Sequence, residues 1–150
     1  MQKIILAPDK RLRTRCTLVT DFIEAERISL ELLSVIKSIT KWWNRWLGLA
    51  ANQIGYSKRI VALRKGKNKY EILVNPVFVD KRFPCFCVES CYSLYPKQYY
   101  LAKRYLWARI KYQDTLGNIH EMILKGPSAI YQEMDHINGI MVSDIGIRLL

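Results

Sequence analysis

Apolar residues recur at Ile28, Leu32, Val35, Ile36 and Ile39 with charged and polar residues between them, the spacing of a helix that buries one face. Asp21 with Glu24 three residues on resembles a capping box, so this helix is expected to run from about residue 21 to about residue 40. Trp42, Trp43 and Trp46 follow, and aromatic groups at a helix end are read here as core packing. After a glycine-bearing segment at 48–55 the pattern changes: residues 59–64, 70–74, 77–79, 83–88, 105–112 and 119–124 are short apolar runs that read as strands. A turn at 65–69 makes the first two a hairpin, Asn75-Pro76 is expected to break it, and Leu116-Gly117-Asn118 turns between the last two. Gly126-Pro127-Ser128 then opens a late helix that stops near Gly139. The sum is an α+β architecture, an early helix, an antiparallel sheet and a late helix, in one domain over residues 1–150.

Composition narrows the classes. The chain has 150 residues, half of them hydrophobic, enough for one core. No run of eighteen uncharged apolar residues exists, and the apolar start before Pro8-Asp9 is too short for a secretory signal, so no membrane span and a cytoplasmic location are expected. The net charge of +11 favours polyanionic partners such as nucleic acid or a ribosome surface. The basic residues are scattered among apolar ones without a nucleic-acid motif, which reads first as a solvated surface. Cys85, Cys87 and Cys91 share a parity, so one extended strand would point all three to one face, and no C-x-x-C zinc spacing occurs.

The chemistry concentrates on the late helix. Positions 132 and 136 are one turn apart on one face, the geometry by which H-E-x-x-H brings two imidazoles to one ion with a glutamate to act on water. This chain reads Gln132-Glu133-Met134-Asp135-His136: the glutamate and second histidine are present, and an amide stands at the first ligand position. Two other segments add to it. Leu47-Gly48-Leu49-Ala50-Ala51-Asn52-Gln53 resembles the first peptide deformylase motif, G-x-G-L-A-A-x-Q, and Glu89-Ser90-Cys91-Tyr92-Ser93 resembles the second, E-G-C-L-S. With residues 132–136 as the third, all three stand in the family's order and spacing.

The resemblance implies a peptide-deformylase-like fold around the helix that carries the metal motif, and removal of the formyl group from N-formylmethionyl nascent peptides. It implies a divalent ion, Fe2+ first, Zn2+ or Ni2+ as alternatives, held by Cys91, His136 and the position of Gln132. Glu133 would be the general acid/base, while Gln53 and the backbone N–H of Tyr92 would stabilise the oxyanion; Gly48 and Leu49 would contact substrate. The motif-two glutamate, Glu89, would hold an arginine on the following strand, which aligns with Arg104. The early stop, with only the tail Ile140 to Leu150 after the late helix, resembles compact, phage-type members that lack a C-terminal helix, with the basic charge as a substitute route to the ribosome.

The departures are Trp46 for a glycine, Ser90 for a glycine, Tyr92 for a leucine, and Gln132. A substitution and a one-residue deletion both explain Gln132, and either leaves an amide one turn before His136. An amide oxygen is a harder, weaker ligand than imidazole for iron or zinc. His120, the only other histidine, sits in an expected strand and is read as structural. Two alternatives remain: a catalytically impaired relative that serves as a peptide- or ribosome-binding module, and a small basic RNA-binding protein.

Overall fold

The computed structural model describes residues 4–149. Helix α1 (Phe22–Ile39) begins where the pattern places it, with the Asp21 carboxylate accepting hydrogen bonds from the N–H groups of Ile23 and Glu24. Those donors have no partner within the helix, so the cap stabilises its first turn by about 1 kcal/mol.

Strands β1 (Gly48–Ala50), β2 (Ile60–Gly66), β3 (Lys69–Glu89), β4 (Tyr100–Gln113) and β5 (Ile119–Lys125) lie side by side in chain order, each antiparallel to its neighbour. Ile60, Val61, Ala62 and Leu63 of β2 are all buried because helices cover both faces of the sheet. Alternation sends Ile60 and Ala62 toward α1, packed with Ile28, Leu32 and Ile36. Val61 and Leu63 point the other way, toward Ile130, Met134 and Ile137 of helix α2 (Ile130–Ile137). A short helix, α3 (Val142–Ile145), leads into β6 (Ile147–Arg148), which pairs with Tyr100 and Leu101 of β4. Because β3 occupies one edge of β4 from Tyr100 to Gln113, β6 joins the other edge, ahead of β5.

Two expectations need correction. Asn75-Pro76 does not break the sheet: the runs at 70–74, 77–79 and 83–88 form one strand, β3, with a bulge where the register slips between Val74 and Val77. Asn75 takes φ 50°, a conformation asparagine tolerates, and its side chain accepts from Val19 N and donates to Val19 O and to Gln113 Oε1. The bulge residue thus ties the strand to its surroundings. The tryptophans are not core: Trp42, Trp43 and Trp46 are exposed. The Arg64 guanidinium donates to the carbonyls of Lys41 and Asn44 at 2.7 and 2.8 Å, and so holds this loop by its backbone while its rings face outward.

No helix among the described residues is long and apolar enough to cross a membrane.

Candidate active site

Helix α2 is short, so its position depends on how its end is held. Gly139, at φ +75°, follows the C-cap Asn138, and the N–H groups of Gly139 and Ile140 bond back to His136 O and Asp135 O. A Cβ on Gly139 would also meet Arg13 O at 2.7 Å. The Asn52 amide donates to His136 O at 2.6 Å, and the Arg59 guanidinium donates to Ile137 O at 3.1 Å and Asn138 Oδ1 at 3.0 Å, a cation at the helix's negative end. His136 and Glu133 are thereby fixed in the interior, 0% and 2% exposed.

The end of β3 supplies the other half. Cys91 lies just past Glu89, and its Sγ is 3.3 Å from His136 Nε2. Two ligands of one tetrahedral zinc, at about 2.3 and 2.1 Å, would stand about 3.6 Å apart, so these atoms converge on one spot. The shared strand parity therefore holds for Cys85 and Cys87, whose Sγ atoms are 3.8 Å apart, while Cys91 falls beyond the strand and turns inward. Gln132 reaches the same region, but its Nε2 donates to Glu89 Oε1 at 3.1 Å and to Ser90 O at 3.3 Å. Both partners can only accept, so the amide orientation is determined and only Oε1 is left to offer to an ion.

Arg104 organises these parts. Its guanidinium donates to both oxygens of Glu89, at 2.6 and 2.8 Å, and to Asp135 Oδ2 at 2.7 Å, with its own side chain only 6% exposed. The expected Glu89 to Arg104 pair is present, and Asp135 joins it, a role the sequence reading did not assign although that aspartate stands in the motif. One cation thus clamps the cysteine loop to the face of α2.

Cys91, Glu133 and His136 are buried at the inner end of the site. Burial pushes the Cys91 thiol up to about 12, partly opposed by the Ser93 N–H that bonds the sulfur, and the neighbouring Glu133 charge adds to the rise. Burial also holds His136 down to about 4, with Arg104 acting in the same direction. Glu133 is raised well above its ordinary value, by burial first and then by the charges of Glu89 and Asp135. A buried thiol and a neutral imidazole facing one spot suit a divalent cation, with the Glu133 carboxyl, whose Oε2 has no partner among the described residues, beside them. Among the described residues no three His, Cys, Asp or Glu side chains are grouped to hold an ion by themselves, so a third ligand would have to be the Gln132 amide.

The remaining expected residues fall around this centre. Gln53 is buried, accepts from Ala50 N through Oε1, and directs Nε2 to Ser93 Oγ at 3.0 Å and Cys91 Sγ at 3.7 Å. Gly48 lines the cavity beside Glu133: a Cβ there would stand 2.7 Å from Glu133 Cγ and 3.0 Å from Oε1. Leu49 does not contribute its side chain, because strand alternation turns it into the α1 core. Tyr92 sits at the rim, its hydroxyl accepting from Asn44 Nδ2 at 2.8 Å. His120 is remote from the cysteine loop in its contacts, pairing with Asp114 at 2.8 Å and stacking on Tyr112. The cavity itself measures about 490 Å³ and runs from Glu133 and Cys91 outward between Trp43, Trp46, Tyr92 and Tyr95. Its aromatic rim is what the sequence reading missed when it assigned the tryptophans to packing.

Comparison with known proteins identifies relatives along nearly the whole chain. Residues 1–147 match the family described as Polypeptide deformylase. A peptide deformylase of Wigglesworthia glossinidia brevipalpis is 34% identical over 94% of this chain and 92% of its own length. The crystal structure of peptide deformylase from Thermotoga maritima superposes with a TM-score of 0.85 at 29% identity, covering 97% of both chains. A protein of Synechococcus phage S-SSM7 superposes at 0.84 over 97% of this chain and 99% of its own, at 24% identity, which shows the fold alone.

Proposed function

The chain belongs to the polypeptide deformylase family, and from that premise we propose that it hydrolyses the formyl amide of N-formylmethionyl peptides at the centre formed by Cys91, Gln132, Glu133 and His136. The observation that carries this reading is the 3.3 Å approach of Cys91 Sγ to His136 Nε2 on a helix face that also buries Glu133.

Cys91, His136 and the Oε1 of Gln132 would hold a divalent ion, iron, zinc or nickel, with Gln132 the weakest of the three. Such an ion, when bound, acts as a Lewis acid on the formyl carbonyl and lowers the pKa of water. The chain's own residues do the rest. Glu133, buried and of high proton affinity, accepts a proton from the attacking water at one carboxylate oxygen and returns it to the leaving amine. The Gln53 Nε2, held near Cys91 by its bonds to Ser93 and Ala50, and the Tyr92 peptide N–H are the donors for charge developing on the formyl oxygen. Gly48 leaves the space that the Glu133 side chain needs. Arg104 keeps Glu89 and Asp135 in place, so the cysteine loop and α2 move as one unit. The scattered basic surface gives a route to ribosomal polyanions, and the proposed setting is the cytoplasm.

The test is formate release from formyl-Met-Ala-Ser by protein purified without oxygen and loaded with Fe2+, Zn2+ or Ni2+. Turnover with at least one ion, lost on chelation and restored on reloading, supports the reading. Stoichiometric ion binding with no formate released from any formylated peptide would instead support the impaired relative that binds peptides.

A further inference from the structure

The reacting centre occupies only the inner end of the cavity. Its outer walls are the loop that carries Trp43, Arg45 and Trp46 and the segment that carries Tyr92, Tyr95 and Lys97. The Asn44 to Tyr92 hydrogen bond joins the two walls at 2.8 Å. Trp43, Trp46 and Tyr95 are 61%, 66% and 82% exposed, aromatic surface gathered at the mouth of the cavity, where a ligand-binding groove carries it. The loop has little freedom to fold these rings away, since Arg64 pins its backbone at Lys41 and Asn44.

Charge is arranged in the same direction. Arg45 and Lys97 line the outer cavity. The carboxylates of the cavity wall are committed elsewhere: Glu89 is held by Arg104 through both oxygens, and Glu133 is buried at the inner end. A peptide whose formyl group reaches Cys91 must pass its following residues between these two walls. We infer that the outer cavity selects formyl-methionyl peptides whose residues after methionine are aromatic and acidic, the rings stacking on Trp43, Trp46 and Tyr95 and the carboxylate meeting Arg45 and Lys97.

This inference rests on the deformylase reading for which end of the peptide lies inside, and its test separates the two. Two peptides are compared, formyl-Met-Phe-Asp-amide and formyl-Met-Ala-Lys-amide, by formate release and by quenching of the protein's tryptophan fluorescence. The aromatic-acidic peptide is expected to show about tenfold higher kcat/KM, carried mainly by KM, and about tenfold tighter binding. Raising the salt shrinks the preference in the unmodified protein, because the charged part lies in the open rim. The ratio between the peptides falls toward one in Trp43→Ala/Tyr95→Ala and, for the charge contribution, in Arg45→Ala/Lys97→Ala. A loss of fold would weaken both peptides together and leave the ratio, so the ratio is the diagnostic reading, and the salt series needs no variant. Equal kcat/KM and equal binding for the two peptides would overturn the inference, as would a preference that neither salt nor the paired variants alter. Preferential binding without any formate release would leave the inference standing and remove the enzyme reading instead.

Discussion

Replacing Gln132 by His puts the metal-site reading under the greatest strain. In the present protein the Gln132 amide spends its N–H groups on Glu89 at 3.1 Å and Ser90 O at 3.3 Å. An imidazole there keeps one N–H for Glu89 and aims its other nitrogen at the spot shared by Cys91 and His136, losing one hydrogen bond worth about 1 kcal/mol. Four-ligand zinc sites bind with about 10–16 kcal/mol, or about 3 kcal/mol per ligand. The net expected gain is about 2 kcal/mol, roughly a thirtyfold tighter ion. Affinity would be read by competition against a chelator, occupancy as ions per purified chain, and activity as formate released at limiting ion. If the unmodified protein already binds ion and releases formate as well as Gln132→His does, the amide is an adequate ligand and the weakness assigned to it is mistaken. If both proteins bind no ion and release no formate, Cys91 and His136 do not share an ion and the peptide-binding alternative gains.

Glu133→Ala in the Gln132→His background is expected to abolish formate release while the ion stays bound, since the carboxyl moves protons and is not among the ligands. In metal-free protein, the raised Glu133 makes stability fall as pH rises above the ordinary value of 4.5, because the folded state keeps a proton that the unfolded state has released; Glu133→Gln should flatten that slope in urea midpoints measured across pH. Glu89→Ala strands Arg104 with only Asp135 as partner, and the expected cost of about 3–5 kcal/mol would appear in urea unfolding; a loss within about 0.5 kcal/mol would mean the clamp is not energetically buried. Gly48→Ala forces a Cβ to within 2.7 Å of Glu133 Cγ, so kcat should fall about tenfold or more with a smaller change in thermal midpoint. Unchanged kcat would show that the glutamate has room to shift without consequence.

Local pattern and motif spacing were sufficient for much of this protein. The α1 stripe and its Asp21 cap, the hairpin at 65–69 and the late helix ending at Gly139 are relations within a few positions of one another, which sequence records directly, whereas the proposed site residues, spread over three segments, came from the family resemblance. The Glu89 to Arg104 pair, fifteen residues apart, was reachable only through the family resemblance. What tertiary structure alone decided are matters of direction. Asn75-Pro76 reads as a break, yet side-chain bonds to Val19 and Gln113, distant in the chain, turn it into a bulge that lets β3 run on to the cysteine loop. The tryptophans read as core because apolarity says nothing of which way a loop faces, and it is Arg64, binding the backbone at Lys41 and Asn44, that leaves them open along the cavity. Gln132 likewise is visible as a letter, while the commitment of its amide to Glu89 and Ser90 depends on three segments meeting in space.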